Sequence, residues 1–317
     1  MLSYVGFVEI VSFMQKASVD WLVLAIFLLP FPFLIRSWRW RLLLLPTKNM
    51  VRYSSTLGAT AVGALTDNLF PIHAGEVLRS FLMKKRENVG FFEAFSSIIV
   101  ERILDLLIMV ALATSALFLL PDHSALPEWA VDSLRVVGTL TLSALLVLIV
   151  GTRKEEALVS LANKTIFKTP MPPSWKGKFD TWLEEIINGA KGLRYSLTLV
   201  PVLLIQTFSI WLAYAMHLYA MFQMFAINIS PLVALLGSML FNLSSLLPSP
   251  PGRIGSYEAF WSVVFIGLGF SLETVFPIGL LKHLFSTGFI AITGSISMSW
   301  FGLDFKSLSL WKSKVKE

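Results

Sequence analysis

Three charged groups interrupt a chain that is otherwise strongly apolar. The first is Asn68-Leu-Phe-Pro71-Ile-His73-Ala-Gly75-Glu76-Val-Leu-Arg79, the second Glu101-Arg102-Leu-Leu-Asp105, and the third Leu247-Pro248-Ser-Pro250-Pro251-Gly252-Arg253-Ile-Gly255-Ser-Tyr-Glu258. Unpaired backbone and buried charge are both costly in hydrocarbon, so charge there is more than a membrane anchor needs. In the first group Pro71 ends an incoming helix, Gly75 permits a tight reversal, and an outgoing half-helix begins near Glu76 with Arg79 one turn on. The free N–H groups and partial positive charge of such a start favour an anion such as a lipid phosphate. The competing reading is an intrahelical Glu76/Arg79 pair at the interface; Asp67 and His73 in the same turn argue for more than that. In the third group Pro251-Gly252 makes a rigid turn, and Arg253 and Glu258 flank Gly255, so Arg253 can meet a phosphate beside a second half-helix start.

Glu101, Arg102 and Asp105 lie within one turn of each other, and the residues around them are Ile, Leu, Val and Ala. They face protein or water, either contacting substrate or a coupling ion, or fixing helix packing as an ion-pair network. Glu101→Gln keeps shape and hydrogen-bonding capacity, so sequence reasoning expects it to leave folding intact and abolish function. Lys282 and His283 occupy a comparable place late in the chain.

The elements that must position these groups follow from composition. Of 317 residues 55% are hydrophobic and 15% charged, with a mean hydropathy of +0.71. This describes an all-α polytopic membrane protein, one transmembrane domain over 1–317. Apolar runs long enough to cross lie at about 19–45, 91–120, 131–151, 196–226 and 275–303. Shorter arms at about 54–72 with 75–84, and 232–248 with 254–270, flank the two Pro/Gly groups. No cleavable signal peptide is evident in residues 1–18, which read as an interfacial helix. There is no Cys, which excludes disulfides and thiol chemistry, and the four His include no His-x-x-x-His pair. No P-loop, dinucleotide or Gly-x-Ser-x-Gly signature occurs, so neither catalysis nor a cofactor or metal is expected. The net charge of +6 is explained by membrane topology and anionic headgroups rather than by nucleic acid.

Lys and Arg distribution predicts orientation. Arg36, Arg39, Arg41, Lys48 and Arg52 follow the first span, Lys84, Lys85 and Arg86 the first interrupted segment, and many more fall in 152–194, whereas 121–130 has none. The amino terminus is then outside and the carboxyl terminus inside. Segment 54–83 enters from and returns to the inside, and 232–270 does so from the outside. These opposed re-entrant or broken-helix hairpins predict an inverted repeat, 19–120 against 196–303, joined by span 131–151. The cytoplasmic segment 152–194 carries Trp175, Phe179, Trp182, Leu183, Ile186 and Ile187 at helical spacing, a face for the headgroup plane or for the underside of the bundle. The absence of Cys makes the topology directly testable. A single Cys at Ser124 is expected to label from outside and one at Ser174 from inside; the reverse pattern inverts the orientation.

Together, Arg36-Ser-Trp38-Arg39-Trp40, Asn68...Pro71...Gly75-Glu76...Arg79, Glu101-Arg102...Asp105 and Pro250-Pro251-Gly252...Gly255...Glu258 resemble the lysylphosphatidylglycerol synthase transmembrane-region family. The resemblance covers nearly the whole chain. It implies an integral protein of the prokaryotic cell (inner) membrane that translocates a phospholipid, aminoacylated lipid or polyprenyl-linked lipid between leaflets. The aminoacyl-transferase domain of fused members is missing here, so lipid synthesis is not implied. A flippase would bind anion through Arg79, Arg102 and Arg253, and a cationic headgroup or coupling protons through Glu76, Glu101, Asp105 and Glu258. An intramembrane lipid-modifying transferase, or a partner subunit of one, is the alternative. The candidate protein partners are a second copy of the chain or a lipid-synthesis enzyme.

Overall fold

The computed structural model describes residues 17–45, 50–70, 74–120, 128–153, 199–247 and 249–304. Ten α-helices and two short 3-10 turns make up the regular structure of these residues, with no strand among them. In chain order they are α1 (Val19–Leu28), α2 (Pro30–Leu44), α3 (Tyr53–Leu69), α4 (Ala74–Glu87), α5 (Phe91–Leu119), α6 (Glu128–Arg153), α7 (Val200–Gln223), α8 (Pro231–Leu243), α9 (Ser256–Gly267) and α10 (Leu272–Trp300). Pro71, His73, the segment 154–198 with its amphipathic pattern, and residues 1–16 and 305–317 lie outside the described residues.

Among the described residues four helical stretches are long and apolar enough to span a bilayer: Val19–Leu44, Phe91–Leu119, Val200–Gln223 and Leu272–Trp300. The first is α1 and α2 nearly end to end. Leu29 between them keeps helical angles, and Pro30 takes the first position of α2, where its missing N–H costs nothing. The outward faces carry Val23, Phe27, Ile205, Leu284, Ile292 and Ile296, all more than half exposed. Such apolar surface belongs in lipid rather than water.

Both interrupted segments form pairs of short helices. In the first, Ser55 Oγ donates to Glu87 at 2.5 Å near the open end, and Asp67 Oδ1 accepts from the Gly75 N–H at 2.7 Å near the tip. Between these, α3 and α4 touch backbone to backbone: a Cβ on Gly75 would overlap the Gly63 carbonyl. Gly75 lies inside α4, so its task is close helix approach rather than the reversal expected from sequence. In the second pair, Pro251–Arg253 forms a 3-10 turn and α9 starts at Ser256, with Glu258 reaching back to the Gly255 N–H at 2.9 Å. Gly252, Arg253 and Gly255 all have positive φ (68°, 54° and 81°). The two glycines adopt it freely, whereas Arg253 is strained by about 1–3 kcal/mol.

The halves interlock. The turn Pro251–Arg253 packs on α3, α10 packs along α3, and α7 packs on α1, α2, α5 and α8. Gly294 of α10 leaves room only for Leu65 and the Ala61 carbonyl of α3. An aromatic core of Phe222, Phe241, Tyr257, Trp261 and Phe265 joins α7, α8 and α9.

Candidate functional site

The charged residues collect into two clusters. The first is built by α2, α4, α5 and α7. Arg39, fully buried, donates to Asp105 Oδ1 at 2.7 Å, Glu101 Oε1 at 3.0 Å and Thr207 Oγ1 at 2.7 Å. Arg79 reaches the other Glu101 oxygen at 3.1 Å and lies over the Trp40 ring at 4.1 Å, while Trp40 Nε1 donates to Ser97 Oγ at 2.9 Å. Its stem passes α3 at Gly63, where a Cβ would meet Arg79 Cγ. Arg102 pairs with Glu76 at 2.5 Å and lies 3.6 Å from Asp105. Arg36 approaches Glu101 and Asp105 at 3.7 and 3.6 Å.

Five sequence candidates, Glu76, Arg79, Glu101, Arg102 and Asp105, thus meet. Their pairing differs from the intrahelical alternative: Glu76 takes Arg102, and Arg79 takes Glu101, each across helices. A helical neighbour on the surface is screened by solvent, whereas the buried Arg79–Glu101 pair compensates charge that water cannot reach; the Glu76–Arg102 pair is partly exposed.

Among the described residues four arginines face three carboxylates here, an excess of one positive charge. The Nε atoms of Arg36, Arg39 and Arg79 are buried without a hydrogen-bond acceptor. The cluster therefore keeps donors and net charge suited to an anion.

Arg36 and Arg39 were missed as site residues. They count as loop cations after the first span, yet α2 runs on to Leu44 and both lie inside it. As members of a buried network they carry no topological information. Their three-residue spacing beside Trp40 was the available signal, since it puts both guanidiniums on one helix face. Thr207, one of several hydroxyl side chains along α7, left no such signal.

The second cluster surrounds the tip between α8 and α9. Glu258 Oε1 contacts His283 Nδ1 at 2.6 Å, and His283 Nε2 faces the Gly252 carbonyl at 3.0 Å. His283 stacks on Tyr257, centroids 4.1 Å apart. Lys282 donates to the Tyr257 hydroxyl at 3.1 Å. Arg253 reaches Ser244 Oγ at 3.4 Å and lies 5.5 Å from the Tyr257 ring centre. Glu258 is thus a partner for histidine rather than for Arg253. Arg79 and Arg253 fall in different clusters, each with its own partners.

The half-helix starts also differ from expectation. The Gly75 N–H is taken by Asp67 and the Gly255 N–H by Glu258, so the chain supplies its own carboxylate at both. Anion-binding capacity rests on the guanidiniums and Lys282. No group of three or more His, Asp or Glu among the described residues is arranged to hold a metal ion.

The sequence profile of a family described as "Lysylphosphatidylglycerol synthase TM region" matches residues 1–294. The chain belongs to this family. It is an integral membrane protein, as the spans require. Among its relatives is a UPF0104 membrane protein of Methanothermobacter thermautotrophicus, 25% identical over 89% of this chain and 84% of the relative. Another, from Pyrococcus horikoshii, is 22% identical over 93% of this chain and 91% of the relative. The glycosyltransferase AglD of Haloferax volcanii is 22% identical over 84% of this chain but only 46% of AglD. No solved structure matches the chain.

Proposed function

We propose that this protein moves a lipid between the leaflets of a prokaryotic cell membrane, its headgroup passing the two charge clusters while its chains stay in hydrocarbon. The observation that carries this is the first cluster: seven charged side chains, with one positive charge in excess, gathered where α2, α5 and α7 meet one arm of a broken-helix pair, with Arg39, Arg79, Glu101 and Asp105 buried. A purely structural network gains little by being ionic, because apolar packing of similar volume is commonly as stable. The paired broken helices, one in each half, are the arrangement expected of a transporter built as an inverted repeat. Family membership supports a lipid as the molecule handled. Without a nucleotide-binding signature, movement would follow a lipid or ion gradient.

An intramembrane transferase acting on a lipid phosphate is the second reading, favoured by the similarity to AglD. That match involves less than half of AglD, so the named activity need not reside in the shared part. The two readings separate in proteoliposomes. Translocation predicts protein-dependent exposure of an inner-leaflet fluorescent phospholipid to an impermeant quencher, with every lipid mass unchanged. A new lipid mass on adding cell lipids, with no change in sidedness, would replace the flippase by the transferase.

A further inference from the structure

Among the described residues, two cations of the second cluster have no carboxylate within ion-pair distance. The Lys282 ammonium, on a residue only 8% exposed, has the Tyr257 hydroxyl and three ring faces around it: Phe241 at 5.2 Å, Tyr257 at 5.7 Å and Trp261 at 5.8 Å. Arg253, half-buried at the tip, has Ser244 Oγ and the same Tyr257 ring. The nearby carboxylate is committed elsewhere, since Glu258 holds His283 and the Gly255 N–H. Both His283 nitrogens face oxygen acceptors, Glu258 and the Gly252 carbonyl. With Lys282 as an ammonium, the tip carries two positive charges around one tyrosine ring, and among the described residues neither forms an ion pair with a carboxylate.

We propose that Arg253 and Lys282 form an anion site for a dianionic phosphomonoester, the terminal phosphate of a lipid. This rests on the lipid-translocation reading and names the headgroup it takes. A phosphomonoester carries between one and two negative charges near neutral pH, which can compensate both cations. A phosphodiester carries one and leaves a buried charge unmatched. A headgroup with an added amine would bring a third cation to the same turn. The aromatic cage excludes water from the ammonium and so strengthens its attraction to an anion. Arg253 itself lies in the turn, and its guanidinium is held there by Ser244 Oγ and the Tyr257 ring.

The test is a binding titration with the full chain in detergent. The probes are phosphatidic acid, phosphatidylglycerol with the same short acyl chains, and inorganic phosphate. Wild type is expected to bind phosphatidic acid at least about tenfold more tightly than phosphatidylglycerol. Lys282→Met and Arg253→Gln should each abolish that preference, while Arg253→Lys, which keeps the charge, should retain it. Equal affinities for the two lipids in wild type overturn the proposal without any variant having to fold. So does a preference that survives both neutralising substitutions. Inorganic phosphate binding as tightly as phosphatidic acid would assign the site to free phosphate and overturn the lipid assignment. The leaflet assay is independent: lipid movement without monoester preference removes this site alone, and monoester binding without movement removes the flippase reading alone.

Discussion

Glu101→Gln is expected to lower folding stability by about 3–5 kcal/mol, although the substitution is nearly isosteric. Glu101 is fully buried and receives Arg39 at 3.0 Å and Arg79 at 3.1 Å, with Arg36 at 3.7 Å. Neutralising it leaves four guanidiniums facing two carboxylates, with Arg39 and Arg79 out of reach of water. Sequence reasoning expects the opposite, an intact fold, because from sequence Glu101 has Arg102 as a neighbour but not three arginines from other helices. Arg36→Gln is the contrasting case. Arg36 is partly exposed and its carboxylate contacts are longer than hydrogen bonds, so its loss should cost less than about 1 kcal/mol. Combined with Glu101→Gln it should recover part of the loss, because three cations then face two anions. Thermal and denaturant unfolding in detergent, followed by tryptophan fluorescence, measures all three. A Glu101→Gln protein that unfolds with wild type would show that Glu101 does not compensate the buried arginines as described.

Gly75→Ala is the second large effect. Its Cβ would occupy the position of the Gly63 carbonyl, and two backbones cannot yield as a flexible side chain can. The helices α3 and α4 must separate, at about 1–3 kcal/mol or more. Separation also withdraws Arg79 from Glu101 and from the Trp40 ring, so lipid movement should fall further than stability. Gly288→Ala is the control, since nothing lies within 4 Å of a Cβ there. It should be neutral, or gain up to about 1 kcal/mol from helix propensity. Melting temperature and the leaflet assay, run on both variants, separate the two effects; a Gly75→Ala protein equal to Gly288→Ala in both would refute the close packing.

Several features were legible because they are local. Apolar runs of about 20 residues set the long helices, since a segment that must satisfy its own backbone in hydrocarbon has little choice but helix. Pro251 and Gly252 marked a turn because a fixed φ followed by a positive φ breaks any helix. Glu101 and Asp105 read as inward-facing because they share a helix face in an otherwise apolar span.

Partnership was not legible. Arg39 carries the same sequence signal as a loop cation, and only the extension of α2 to Leu44 and the approach of α5 and α7 turn it into the centre of a network. Gly75 reads equally well as a turn residue or a contact residue, and the Gly63 carbonyl across α3 decides between them. Lys282 and His283 are adjacent in sequence but meet different fates: His283 is held by Glu258 and the tip carbonyl, while Lys282 is left with aromatic rings. That the chain is a bundle of membrane helices broken twice, and which segments carry charge into it, follows from local sequence, because helix formation in lipid depends on neighbours in the chain. Which charge compensates which, and which cation remains unmatched, was decided by tertiary structure, because the Coulomb energy of a buried ion depends on distances of a few ångströms between residues far apart in sequence.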